Sequence, residues 1–150
     1  MQTKYEKYEQ LVEASLSSIV QNRENWRKFL DSCSAIYKYS FDEQLLIHAQ
    51  RPETKACASF EFWTAEKKMN RHVKSGTNGI ALLNRDSRKL YYVYAVEDTE
   101  ARNNGRSKNP EDYLWKITEQ HKEAVTEMLR SRFGISENLN HYIAYTILNI

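Results

Sequence analysis

Long apolar runs, paired cysteines and an excess of either charge are all missing from this 150-residue chain. No apolar stretch approaches the roughly 20 residues of a membrane-spanning helix, and the opening Met1-Gln2-Thr3-Lys4-Tyr5-Glu6 has no signal-peptide core. A cytoplasmic protein with no membrane role is therefore expected. Its two cysteines, Cys33 and Cys57, are too few for a disulfide framework and form no Cys-x-x-Cys, which argues against structural zinc and for reduced thiols. The four histidines are scattered, and none belongs to a His-Glu-x-x-His pair. Gly76 and Gly79 stand outside any phosphate-loop or dinucleotide context. Of the paired carboxylates, Asp42-Glu43 fits helix capping and Glu97-Asp98 fits a loop. No catalytic set, metal site or cofactor is expected, and the chain reads as a binding module. With 22 basic and 20 acidic residues the net charge of +2 is too small for a polycation that coats DNA, and the near balance equally excludes an acidic DNA mimic. Any nucleic-acid site has to be local.

What is present is hydrophobic periodicity. Tyr5, Tyr8, Val12, Leu16 and Ile19 recur at helical spacing behind Thr3, which predicts a helix over about 4–20. Trp26, Phe29, Leu30, Cys33, Ile36 and Tyr37 form a second stripe behind Asn22. Ser40-Phe41-Asp42-Glu43 fits a capping box that opens a third helix through Leu45, Leu46 and Ile47, ending before Pro52. The period then changes. Residues 78–83 and 90–96 are β-prone and joined by a polar link, so an antiparallel hairpin is expected, while Ser59 caps a short helix carrying Phe60, Phe62 and Trp63. Residues 97–109, with Asn103-Asn104-Gly105-Arg106-Ser107 at their centre, read as a mobile loop. Pro110 restarts helix. Val125, Met128, Leu129 and Phe133 mark a longer helix ending at Gly134, and the stripe Leu139, Tyr142, Ile143, Ile147 and Ile150 a final one whose uncapped apolar end suggests a larger parent chain or a docking surface. The expectation is one α+β domain over 1–150, with a helical N-terminal half, a small antiparallel sheet and a helical C-terminal part.

Charge is concentrated where the total is not. Between Lys67 and Lys89 lie seven basic residues, Lys67, Lys68, Arg71, Lys74, Arg85, Arg88 and Lys89, against Asp86 alone. Such a patch attracts phosphates, although lysines also protect an edge strand from aggregation. Aromatic residues flank the run on both sides: Phe60, Phe62 and Trp63 before it, and Tyr91, Tyr92 and Tyr94 after it. Unpaired bases stack on such rings whatever their identity. Strand alternation turns either Tyr91 or the pair Tyr92 and Tyr94 to the core, and Trp63 can serve as a base-stacking ring or as a core anchor. The expected nucleic-acid contacts are the seven basic residues with Tyr91 and Trp63. Arg102, Arg106 and Lys108 in the polar loop are the next candidates.

Three strings carry a family resemblance. They are Asn25-Trp26-Arg27-Lys28-Phe29-Leu30; Tyr37-Lys38-Tyr39-Ser40-Phe41-Asp42-Glu43-Gln44-Leu45-Leu46-Ile47 with Gln50-Arg51-Pro52; and Trp63 followed by Arg71-His72-Val73-Lys74-Ser75-Gly76-Thr77-Asn78-Gly79-Ile80. Spanning about 24–96, they resemble the N-terminal domain of ArdC-type antirestriction proteins and related multidomain proteins of conjugative transposons. The resemblance implies a mixed fold and non-specific binding of single-stranded DNA that protects an entering element. A host restriction or CRISPR nuclease, blocked by direct contact, is the alternative partner, and a docking role within a conjugation complex a third. The metalloprotease-like domain that follows in ArdC has no counterpart in these residues. The family's asparagine near the start of the third helix is replaced by Asp42-Glu43-Gln44, which disfavours a phosphate there and moves the expected contact to the hairpin.

Overall fold

The computed structural model describes residues 2–114 and 118–133. Where the sequence suggests one domain with an extension from about residue 110, the chain divides into two compact units, 1–114 and 115–150. In chain order the elements are α1 (Lys4–Ile19), α2 (Arg23–Ala35), α3 (Phe41–Gln50), β1 (Cys57–Ser59), α4 (Phe60–Thr64), β2 (Arg71–Val73), β3 (Ile80–Asn84), β4 (Lys89–Ala95), β5 (Thr99–Ala101) and α5 (Glu119–Phe133). Single 3-10 turns lie at Val96–Asp98 and Pro110–Asp112. The fold is α+β. No helix among the described residues is long and apolar enough to cross a membrane. The stripe from Leu139 to Ile150 and the stop at Gly134 lie outside the described residues.

Each of the first three helices starts where a polar side chain replaces a missing helical acceptor. The Thr3 hydroxyl accepts from the Glu6 amide at 3.2 Å while the Glu6 carboxylate accepts from the Thr3 amide at 2.9 Å. Asn22 Oδ1 accepts from the Asn25 amide at 2.8 Å. In the third, the Ser40 amide donates to Glu43 Oε2 at 2.8 Å.

The main sheet is antiparallel in the order β1-β4-β3. Its register sets Ile80 opposite Val93 and Leu82 opposite Tyr91, so these four share one face and pack with Phe29, Leu45, Leu46 and Ile47 from the helices. Fully burying each leucine or isoleucine there contributes about 1.5–3 kcal/mol relative to exposure. Ala81 opposes Tyr92 and Ala58 opposes Tyr94 on the other face. A second, smaller core lies on that side, made by Trp63, Met69 and Val73 with Ala58, Tyr94 and Val96.

The loop expected over 97–109 is in part a strand. Thr99–Ala101 pairs with Arg71–Val73 as a separate two-stranded ribbon. The rest is tied down as well: Ser107 Oγ accepts from the Arg102 amide at 2.8 Å and donates to the Asn70 carbonyl at 2.5 Å, and the Lys108 amide donates to the Met69 carbonyl at 3.0 Å. Three-residue strands are too short to show a period of two, and their partners lie 26–30 residues away in sequence, so no local pattern reveals them.

Candidate nucleic-acid interface

The seven basic residues of the hairpin region fall into two places. Arg85, Arg88 and Lys89 sit at the tip joining β3 to β4, against the first and third helices. Arg85 forms an ion pair with Asp42, and Arg88 lies over the Tyr5 ring at 5.7 Å. Tyr91 beside them faces the main core, and its hydroxyl donates to Glu43. Burial alone would raise the Glu43 carboxyl, but hydrogen bonds from the Tyr91 hydroxyl and from Ser40 hold it below the ordinary value. Burial, reinforced by that carboxylate, pushes the Tyr91 phenol upward. A cleft of about 430 Å³ opens here, and Asp42, Glu43 and Asp86 are among its lining residues. Those three carboxylates, with Arg85 already paired to Asp42, make it a poor seat for phosphate.

Lys67, Lys68, Arg71 and Lys74 lie at the other end of β4, about 20 Å along the strand from Lys89. Arg71 is a clamp: its guanidinium donates to Thr99 Oγ1 at 2.9 Å, the Thr99 carbonyl at 3.2 Å and the Lys108 carbonyl at 3.4 Å, locking the ribbon to the loop after it. Lys74 Nζ donates to the Glu97 carbonyl at 2.8 Å. The ammonium groups of Lys67 and Lys68 have no protein partner among the described residues and are exposed.

The ribbon brings a second basic segment to this end. Arg102 donates to the Arg71 carbonyl at 3.2 Å and to the Thr64 carbonyl at 3.3 Å. Arg106 reaches Glu66 at 3.0 Å in a largely exposed pair, and Lys108 Nζ reaches the Lys67 carbonyl at 3.4 Å. Residues 65–74 and 101–109 thus bring together seven basic side chains, with Glu66 within these segments and Glu100 opposite His72 in the ribbon as neighbouring carboxylates. Arg102, Arg106 and Lys108 were legible as basic residues in a polar loop, but their neighbours depend on the pairing of the ribbon.

Exposed rings border the same region. Phe60 and Phe62 on the fourth helix are 55% and 39% exposed, and the Phe60 ring meets Tyr94 edge-on at 5.8 Å. Tyr92, on the outer face of β4, is 46% exposed. Trp63 is not one of these rings. It is 2% exposed, with its indole N–H donating to the Tyr94 carbonyl at 2.8 Å, so the core anchor is the reading the structure supports. The available rings are therefore Phe60, Phe62 and Tyr92 in place of Trp63 and Tyr91.

No family model, curated protein or solved structure matches this chain. The chemistry of the site rests on its own residues. Burial pushes the thiols of Cys33 and Cys57 up to about 11, which leaves them protonated and poorly nucleophilic near neutrality. Among the described residues no cluster of histidine, cysteine or carboxylate side chains is suited to hold a metal ion. Ser32 and His48 do meet, at 2.7 Å, but Ser32 is buried and its hydroxyl donates to the Pro52 carbonyl at 2.8 Å, so its proton is engaged in joining two helices to a turn.

Proposed function

We propose that this protein is a non-enzymatic module that binds single-stranded DNA with little sequence preference, through the basic face built by residues 65–74 and 101–109. The observation that carries the reading is the meeting of Lys67, Lys68, Arg102, Arg106 and Lys108 beside the exposed rings of Phe60 and Phe62. Such side chains neutralise phosphates, and the rings offer faces on which unpaired bases stack at about 1–3 kcal/mol each. Among the described residues this face holds no helix or ribbon of the length that enters a duplex groove, which favours backbone tracking over base-edge readout. The resemblance to ArdC-type N-terminal domains supplies a setting: a cytoplasmic protein of a mobile element that shields entering DNA from restriction.

A second reading, a module that docks on a host nuclease or another protein, draws support from Trp26, Leu30 and Phe41. These exposed side chains include two rings grouped around Phe29, at 5.9 Å for Trp26 and 5.7 Å for Phe41. Titration of a labelled thymidine oligonucleotide at several salt concentrations decides between them. If about four phosphates are neutralised, log affinity should fall against log salt with a slope near −3. Absence of binding at low salt would leave the docking reading.

A further inference from the structure

Two Asn-Gly pairs occur in the chain, Asn78-Gly79 and Asn104-Gly105. In such a pair the glycine amide nitrogen can attack the preceding carboxamide, because no Cβ obstructs the approach and the backbone is free to turn. The structure holds the two pairs in unlike surroundings. Gly79 is wedged against β4: a Cβ there would lie 3.1 Å from Tyr92 Cβ and 3.2 Å from Tyr94 Cζ. The residue after it, Ile80, opens β3 and is buried, so the attacking peptide is held in place.

Gly105 is open. Nothing lies within 4 Å of where its Cβ would be, its φ is +66°, and Asn103, Asn104 and Gly105 are all exposed. The Arg106 amide donates to Asn104 Oδ1 at 3.1 Å. That bond polarises the side-chain carbonyl and points at the oxygen on which negative charge develops when Cγ is attacked. The other end of the carboxamide, Nδ2, is the leaving group, and it has no partner among the described residues.

We propose that Asn104 is a site of spontaneous deamidation that places a carboxylate within the basic face. Gly105 N bonds to Asn104 Cγ, the Cγ–Nδ2 bond breaks, and Nδ2 leaves as ammonia with the proton lost from the Gly105 amide. Water then opens the cyclic imide at either carbonyl, giving aspartate or isoaspartate and one added negative charge. On the segment that carries Arg102, Arg106 and Lys108 this added charge offsets part of the positive charge offered to phosphate, so the modification lowers nucleic-acid affinity as the protein ages. The chemistry stands on its own geometry; the effect on binding rests on the proposed function.

The test is incubation of the full chain under mildly alkaline conditions, with peptide mass spectrometry locating the gain of about 1 Da that marks each event. Asn104 should convert at least about tenfold faster than Asn78, and Arg106→Pro, which removes the polarising N–H, should slow it. Comparable rates at the two asparagines, or an intact Asn104, overturn the proposal. Aged protein and Asn104→Asp should both bind a thymidine oligonucleotide about fivefold more weakly than fresh protein at low salt. Equal affinities overturn the binding half. Failure of fresh protein to bind at all counts against the proposed function and the binding half together, and leaves the ratio of rates to judge the chemistry.

Discussion

The indole nitrogen of Trp63 donates a 2.8 Å hydrogen bond to the main-chain carbonyl of Tyr94, joining the fourth helix to the central strand of the sheet. The ring lies with Met69 and Val73 under the ribbon that carries the basic face. The small core is therefore the support of the candidate site, and its largest member is a support residue. Trp63→Ala should cost about 3–5 kcal/mol of unfolding free energy. Trp63→Phe, which keeps much of the ring and strands the carbonyl, should cost about 1–3 kcal/mol. Urea unfolding measures both. A stable Trp63→Ala protein with weakened oligonucleotide binding would place this ring in the interface instead.

Two multiple substitutions separate the two ends of β4. Lys67, Lys68, Arg102 and Arg106 changed together to glutamine should lower affinity for a thymidine oligonucleotide by more than about tenfold at low salt and flatten the salt slope. The glutamine triple at Arg85, Arg88 and Lys89 should bind within about twofold of the parent, since Arg85 already has Asp42 as its partner. Circular dichroism checks that both remain folded. The reverse ranking would return the site to the hairpin tip.

The contrast between these two groups shows what the sequence could and could not carry. Helix starts at Thr3, Asn22, Ser40 and Ser59 were legible because capping acts over three residues. The hairpin was legible because seven alternating residues in β4 have a period. Its register was not, and register is what turns Tyr91 inward and Tyr92 outward. The basic run from Lys67 to Lys89 is continuous in sequence but not in space. A strand rising about 3.3 Å per residue carries its two halves apart, while the ribbon draws Arg102, Arg106 and Lys108 in from more than thirty residues away.

Gln50 closes an edge that would otherwise be open. β3 lies at the end of the main sheet, and the Gln50 carboxamide donates to the Ala81 carbonyl at 2.9 Å and accepts from the Ala81 amide at 3.0 Å, as a neighbouring strand would. Gln50→Ala should destabilise by about 1–3 kcal/mol, because both backbone groups of Ala81 lose their partner. Gln50→Glu keeps the acceptor alone, loses the bond from Nε2 and repels the carbonyl, so it should be no better. Hydrogen exchange at the Ala81 amide should speed up in Gln50→Ala. Unchanged protection there would show that the side chain does not guard this edge.

His48 should make folding sensitive to mild acid. Its ring is half-buried, edge-on to Phe29 at 5.5 Å, and shares a 2.7 Å hydrogen bond with Ser32. The Ser32 hydroxyl gives its single proton to the Pro52 carbonyl, so the histidine donates through Nδ1 and keeps that bond in either charge state. What changes with protonation is solvation. Burial disfavours the charged ring and lowers its pKa below the ordinary 6.5, with the Glu53 carboxylate opposing. In the unfolded chain the ring regains its ordinary value, so below about pH 6.5 the unfolded state binds more protons than the folded one. Stability from this group is complete above that pH and is lost as pH falls towards the folded value. Glu43, held low in the fold, adds a second loss that begins below its own ordinary value of 4.5. Urea midpoints measured from pH 7.5 downward should therefore decline in two stages. His48→Asn, which places an uncharged N–H near Nδ1, should remove the first stage and leave the second. A flat wild-type profile between the two ordinary values, or an unchanged first stage in His48→Asn, would rule His48 out as its source.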